Sequence, residues 1–324
     1  MIIPIILLAV GFILLIKGGD WFVDGATGIA RRFHLPEILI GATVVSIGTT
    51  LPEVMVSAGA ALQGSGAIAY GNAIGSIICN TSLIAALTIA IKPGRADRKS
   101  MVLPVSFFFG SAAIYCLGAY VFGKFSFAMG IVLLTVFVIY MVSTVMRMKK
   151  STDTPVVEVE EHTSEKQGSL LKDILLLVVG AAIIAVGADL LVDNATLIAE
   201  KCGVSEKVIG LTIVALGTSL PELVTAVTSL LKGHGALSLG NIIGANLFNL
   251  VLVSGTAITL NPFDVPVAGM IRGINSSLVL DIPVMLVVML ILTIPTLIKQ
   301  KLSRWQGILL LAIYAAFCAL QFII

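Results

Sequence analysis

Ten predominantly apolar runs follow one another along this chain of 324 residues, near 2–25, 37–62, 67–91, 101–122, 125–147, 171–197, 207–231, 236–260, 275–298 and 306–324. Each is long enough, at about 20 residues, to cross roughly 30 Å of hydrocarbon as a helix. Only 12% of the residues are charged, about half the share of a soluble domain. The sequence therefore predicts an all-α integral membrane protein of ten transmembrane helices, with the lipid bilayer as its surroundings. The first run follows "MIIPII" without a basic region or a small-residue cleavage signature, so it is expected to remain as a span.

Composition also removes several function classes. The net charge is +2 and no basic stripe or aromatic-rich surface segment points to nucleic acid. Cys79, Cys116, Cys202 and Cys318 show no CxxC spacing and read as small residues within helices. His34, His162 and His234 fall in short connections, so a histidine-ligated metal is not expected. Neither a nucleophile–base pair nor an HExxH motif suggests an enzyme, and no cofactor or obligatory protein partner is implied.

The longest polar interval is "RMKKSTDTPVVEVEEHTSEKQGS", too short for a folded domain and composed like a solvated linker. It divides the chain into a first five-span unit (1–147), a cytoplasmic linker (148–170) and a second five-span unit (171–324). Lys and Arg are distributed about 15 to 4 between the two sets of connections, which predicts a plasma-membrane protein with both termini outside. Asp20, Asp24, Asp189 and Asp193 fall near span ends, where capping or ion pairing is expected, and Lys17 is expected to pair locally with Asp20.

Shifting the chain by 169 residues aligns it with itself. "DWFVDGATGIA" meets "DLLVDNATLIA", "GATVVSIGTTLPE" meets "GLTIVALGTSLPE", and "GNAIGSIICN" meets "GNIIGANLFN". Between Asp20 and Asn80 no gap is needed, and about 26 of 61 pairs are identical. Five spans per unit is an odd number, so the units enter the membrane with opposite polarity. Inverted repeats with interrupted helices place a binding site near mid-membrane where the repeats meet. The predicted interruptions are in spans 2 and 7.

The repeated motifs say what such a site would hold. Pro52 has no N–H to donate and its ring clashes one turn back, so carbonyls around Ser46 to Gly48 are expected to lose helical partners. Pro221 is expected to do the same around Ala215 to Gly217. Such groups persist in lipid only where protein, water or a ligand satisfies them. A bound cation would also offset the cost of burying the adjoining Glu53 and Glu222. Ser46, Thr49 and Glu53 share one helical stripe, and Thr218 and Glu222 repeat it, with Ala215 offering only its carbonyl. Asn72, Ser76 and Asn80 line one face of span 3; Asn241, Ala245 and Asn249 are their counterparts on span 8. This is a hard-oxygen set suited to Ca²⁺ or Na⁺. Two carboxylates balance one Ca²⁺, or nearly balance two or three Na⁺.

With these motifs the chain resembles the prokaryotic sodium/calcium exchanger branch of the cation/calcium exchanger superfamily. "GTTLPE" and "GTSLPE" carry the resemblance together with "GNAIGS" and "GNIIGAN". It implies a secondary antiporter that exchanges Na⁺ for Ca²⁺ by alternating access, as the first and sixth spans slide across a fixed core. The alternative within transport is a Ca²⁺/H⁺ antiporter. The ligands it implies are Ser46 (carbonyl), Thr49, Thr50, Glu53, Ser76 and Asn80 in the first repeat. In the second they are Ala215 (carbonyl), Thr218, Ser219, Glu222 and Asn249. It also implies about three Na⁺ per Ca²⁺, hence electrogenic exchange. Ala245 stands where relatives often carry a serine, and Ile77 where an asparagine is usual. Asn249 stands where potassium-dependent relatives carry aspartate, so exchange is expected to be K⁺-independent.

Overall fold

A computed structural model describes residues 2–152, 169–202, 215–267 and 269–323. Most of the expected linker and the first residues of the expected seventh span lie outside them. The chain forms α1 (Ile2–Arg32), α2 (Glu37–Leu62), α3 (Gly66–Ile91), α4 (Arg98–Phe122) and α5 (Phe127–Thr152). There follow α6 (Leu170–Lys201), α7 in two pieces (Ala215–Gly217 and Leu220–Leu231), α8 (Gly235–Leu260), α9 (Ser277–Lys299) and α10 (Arg304–Ile323). Among the described residues nine of these are long and apolar enough to span a membrane; the longer piece of α7 has 12 residues.

The helices α1 and α6 run well past the expected ends at 25 and 197. At 31 and 32 residues they measure about 46–48 Å, more than the hydrocarbon thickness. The aspartates that suggested span ends thus sit within helices. In α1, Gly11, Gly18 and Gly25 recur every seven residues and meet α6 backbone to backbone. A Cβ at Gly11 would lie 2.9 Å from the Gly187 carbonyl, and one at Gly25 2.5 Å from that of Asp173. Small residues at such a seam let helices pack closely where lipid offers no hydrophobic drive.

The crossing of α2 and α8 is equally close. A Cβ at Gly41 would lie 2.4 Å from the Leu237 carbonyl, one at Gly240 2.2 Å from that of Ile38, and one at Gly244 2.3 Å from Ser46 Oγ. Around this crossing lies a core from α3, α4, α5, α8 and α9, with Ile74, Phe108, Tyr140, Phe248 and Met285 buried.

The interruption of span 2 differs from the expectation. The chain stays helical through Pro52, within Ser46–Leu62, and the irregularity sits a turn earlier as a π-helical segment, Gly41–Val45. Tyr140 Oη donates to the Ala42 carbonyl (2.8 Å) there. In α7 the same Leu-Pro-Glu sequence starts a helix after a turn at Thr218–Ser219. Proline is tolerated in a first turn because N–H groups there lack intrahelical partners. Two more π segments, Asn80–Ala85 and Asn249–Val253, begin at the repeat-equivalent asparagines.

Contacts between connections sort them into faces. β1 (Lys124–Phe125) pairs antiparallel with β2 (Phe263–Asp264), joining the α4–α5 and α8–α9 connections. At the other end of α4, Arg95 pairs with Lys301, joining the α3–α4 and α9–α10 connections. A hairpin of β3 (Met270–Ile271) and β4 (Ile274–Asn275) completes the strands. Asp20 pairs with Lys232 (3.4 Å) rather than with Lys17, and Lys232 also reaches Asp24 (2.8 Å). The helical continuation of α1 brings both aspartates to the α7–α8 connection, which explains the correction. Arg32 pairs with Asp173, and His234 with Glu37. Of the cysteines, all free, Cys79 is buried, whereas Cys202 lies just past α6 and is exposed, unlike the helical position expected.

Candidate ion site

Glu53 follows Pro52 in α2, and Glu222 lies in the first turn of the longer α7 piece. Both are fully buried, and none of their four carboxylate oxygens has a hydrogen-bond partner among the described residues. The two acids are close enough to feel each other's charge, and the hydroxyls of Thr49 and Thr50 face the Glu222 carboxylate. Thr50 Oγ1 and Ser219 Oγ are also buried without a partner, as are both side-chain polar atoms of Asn80 and of Asn249. Buried polar groups are nearly always paired, so a cluster of orphans marks a place where something else binds.

The helix crossings bring these groups together. The segment of α2 that carries Glu53 and the π segment opening at Asn249 pack on each other, as do the longer α7 piece and the π segment opening at Asn80. Ser76 is buried one turn before Asn80. Thr218 is half-buried in the turn of α7, and Ala215 opens the short helical piece whose carbonyl the sequence singled out. At Ser46 the hydroxyl lies within hydrogen-bonding distance of two carbonyls, those of Gly41 (2.7 Å) and Asn241 (2.9 Å), between which its single proton is shared. The Thr49 hydroxyl lies 3.2 Å from Asn241 Oδ1 and 3.5 Å from the Ser46 carbonyl. Thr49 is therefore already engaged, while Thr50 is not.

Some polar groups at this level were not in the expected ligand set. Asn241 bridges the repeats through Ser46 and Thr49, leaving its Nδ2 unpaired. Its counterpart Asn72 donates to the Glu53 carbonyl (3.1 Å) and to Ser57 Oγ (2.8 Å) within its own repeat. Thr225 and Ser229 are fully buried with unpaired hydroxyls. They sit three and seven residues beyond Glu222, so the helical stripe through Glu222 would have found them. Asn246, aligned with Ile77, donates to Thr81 Oγ1 (2.7 Å) and leaves its own Oδ1 unpaired.

A narrow cleft borders the acids. Phe22, Ala181 and Ile184 line it from α1 and α6, and Gly48, Thr49, Pro52 and Pro221 from α2 and α7. Gly48 packs on the Phe22 ring (a Cβ there would lie 3.2 Å from it), so the α1–α6 pair rests directly on the motif backbone.

Chemically, the arrangement offers two negative charges and several neutral oxygens in a dry enclosure. It can strip and coordinate a hard cation. The profile of the family described as sodium/calcium exchanger protein matches residues 3–146 and 172–323. The sodium/calcium exchanger MaX1 of Methanosarcina acetivorans is 32% identical, over 98% of each chain. An uncharacterized membrane protein of Methanocaldococcus jannaschii is 36% identical, over 94% of this chain and 93% of its own. A solved structure of the sodium–calcium exchanger NCX_Mj, soaked with Na⁺ and Sr²⁺, superposes with a TM-score of 0.81 at 34% identity, covering 98% of both chains. With matches of this extent over both halves, the chain is a multi-pass membrane transporter and belongs to the sodium/calcium exchanger family.

Proposed function

We propose that this protein exchanges Na⁺ for Ca²⁺ across the plasma membrane, electrogenically and without K⁺. The observation that carries the reading is the orphaned pair Glu53 and Glu222, buried along with unpaired amide and hydroxyl oxygens of Asn80, Asn249, Thr50 and Ser219. Glu53, Glu222, Thr49, Thr50, Thr218, Ser219, Ser76, Asn80 and Asn249 supply side-chain ligands, and Ser46 and Ala215 supply carbonyls. Two charges suffice for one Ca²⁺ or for a few Na⁺, so the ions compete for one charge-limited cavity and cannot share it. That competition is the physical basis of exchange.

Residues 1–147 and 171–324 act as inverted repeats joined by the 148–170 linker. Loop pairing supports this: the α3–α4 connection joins that of α9–α10, and its repeat equivalent, α8–α9, joins α4–α5 at the opposite end of α4. Repeat-equivalent loops on opposite faces require opposite polarity. The charge bias of the connections favours both termini outside. Alternating access then consists of the glycine-seamed α1–α6 pair moving over the cleft. Vesicles containing the purified protein and loaded with Na⁺ are expected to take up radiolabelled Ca²⁺ only while the outward Na⁺ gradient lasts. Uptake driven equally by a pH gradient would replace Na⁺ with H⁺ in this scheme, and uptake without any counter-ion would indicate a channel.

A further inference from the structure

Away from the acids, a second cavity of about 240 Å³ opens where α3 and α7 end and α8 begins, beside the connection that enters α10. Its wall is apolar, with Ala85, Ile89, Leu239 and Leu302, and its mouth carries Lys92 and Arg95. Hydrogen bonds from Ala96 N to the Gln300 carbonyl (3.2 Å) and from Leu302 N to the Gly94 carbonyl (2.9 Å) clamp two connections together there. The clamp gathers four cations between residues 92 and 99 with three between 299 and 304, against the single acid Asp97. That acid is committed to capping α4, accepting from Ser100 N (2.8 Å) and Ser100 Oγ (2.7 Å). Lys92, Arg95 and Lys301 are exposed and make no ion pair among the described residues.

The residues around this mouth have the composition of a membrane interface. Ile91, Leu231 and Ile298 are exposed apolar residues at the ends of their helices, and Trp305 is 77% exposed, as an interfacial anchor is. An aqueous mouth rimmed by cations would repel Ca²⁺ and Na⁺, so the cavity does not suit the transported ions. We propose that it binds an anionic phospholipid, the phosphate held by Lys92 and Arg95 and an acyl chain entering the apolar wall. Basic pockets between membrane helices recognise lipid phosphates in this way. Because the pocket touches α3, α7 and α8 together, an occupied site braces the helices that carry Asn80, Glu222 and Asn249.

The test titrates phosphatidylglycerol against the full-length protein in phosphatidylcholine nanodiscs, reading retained lipid by native mass spectrometry. The wild type is expected to retain phosphatidylglycerol over phosphatidylcholine, and K92Q/R95Q to bind it about 30-fold more weakly, roughly fivefold per charge. R147Q, which removes an exposed cation elsewhere, is expected to bind like the wild type. Ala236→Leu, which fills the cavity without changing charge, is expected to weaken retention. Each variant is judged only where Ca²⁺ still raises its melting temperature, which certifies the fold. Equal retention by K92Q/R95Q, an equal loss in R147Q, or full retention in Ala236→Leu would overturn the proposal. So would displacement of the lipid by millimolar inorganic phosphate, which would assign the pocket to a soluble anion.

Discussion

Replacing Glu222 by Gln separates an ion ligand from a structural glutamate by the sign of two effects. Both Glu53 and Glu222 are fully buried, and all four oxygens are unpaired. Each ionised carboxylate in such a place costs several kcal/mol of desolvation, and the neighbouring acid adds repulsion. The isosteric amide removes one charge and leaves the volume unchanged. In ion-free buffer E222Q should therefore melt at or above the wild-type temperature. With Ca²⁺ bound the sign reverses, since breaking one partner of a buried charge pair costs about 3–5 kcal/mol, or roughly 150- to 5,000-fold in affinity. At Ca²⁺ a thousandfold above its dissociation constant the wild type gains about 4 kcal/mol. A variant weakened a thousandfold gains about 0.4 kcal/mol. Thermal unfolding in detergent with and without Ca²⁺ measures both effects. A Ca²⁺-dependent shift of wild-type size in E222Q, or a marked loss of stability in ion-free buffer, would refute the reasoning; E53Q is expected to behave alike.

Other residues give independent checks. Gly18→Leu would place a Cβ 2.9 Å from the Ile184 backbone nitrogen, overpacking the α1–α6 seam by about 1–3 kcal/mol; Ca²⁺ binding is expected to persist while exchange in vesicles slows. Ala245→Ser adds a hydroxyl one turn before Asn249, and a gained contact of about 0.5–1.5 kcal/mol would tighten Na⁺ roughly two- to tenfold, read as the Na⁺ concentration that half-inhibits Ca²⁺ uptake. Outside the membrane, partial burial pushes the Asp97 carboxyl up, but the Ser100 hydroxyl and the Ser100 and Lys99 N–H groups outweigh it and hold it below its usual 3.8. Its cap on α4 is thus at full strength above about pH 4 and is lost as pH falls through the lowered value. Asp97→Asn should abolish that acid dependence, and Asp97→Ala should cost about 1 kcal/mol at pH 7 by denaturant titration.

Much of this arrangement was legible because membranes narrow the choices. Apolar run length located the helices, and the register of Gly, Pro, Glu and Asn over 61 residues brought the two motifs into one frame. What misled was local reading of charge and proline. Asp20 was assigned to Lys17 because sequence shows only neighbours, whereas Lys232 arrives from another helix. Pro52 suggested carbonyls without helical partners around Ser46 to Gly48, yet the irregularity sits at Gly41–Val45, beside the contact of Gly41 with Leu237 and Asn241 of α8. That crossing is a property of packing, and no residue in span 2 announces it alone. Thr225 and Ser229 were readable from helical spacing but lack counterparts in the first repeat, where Val56 and Ala60 stand. The repeat symmetry therefore does not point to them.

The repeats are unequal in an informative way. The carboxylate, the asparagine that opens a π segment and the Leu-Pro-Glu sequence occur twice. Two of the hydroxyls do not: Thr49 and Thr50 meet Thr218 and Ser219 in the alignment, but Ser46 faces Ala215 and Ser76 faces Ala245. Asn72 ties α3 to α2 within its repeat, while Asn241 ties α8 to α2 across the repeats. Net charge in a dry cavity comes in whole units, so a missing carboxylate costs several kcal/mol and halves the charge available to a divalent ion. A missing hydroxyl removes one neutral contact worth about 1 kcal/mol. Under the proposed function, charge-bearing positions must then be kept in both repeats for a divalent ion to bind. Hydroxyl positions can differ between repeats, and they are where the balance between Na⁺ and Ca²⁺ can be adjusted without losing the site.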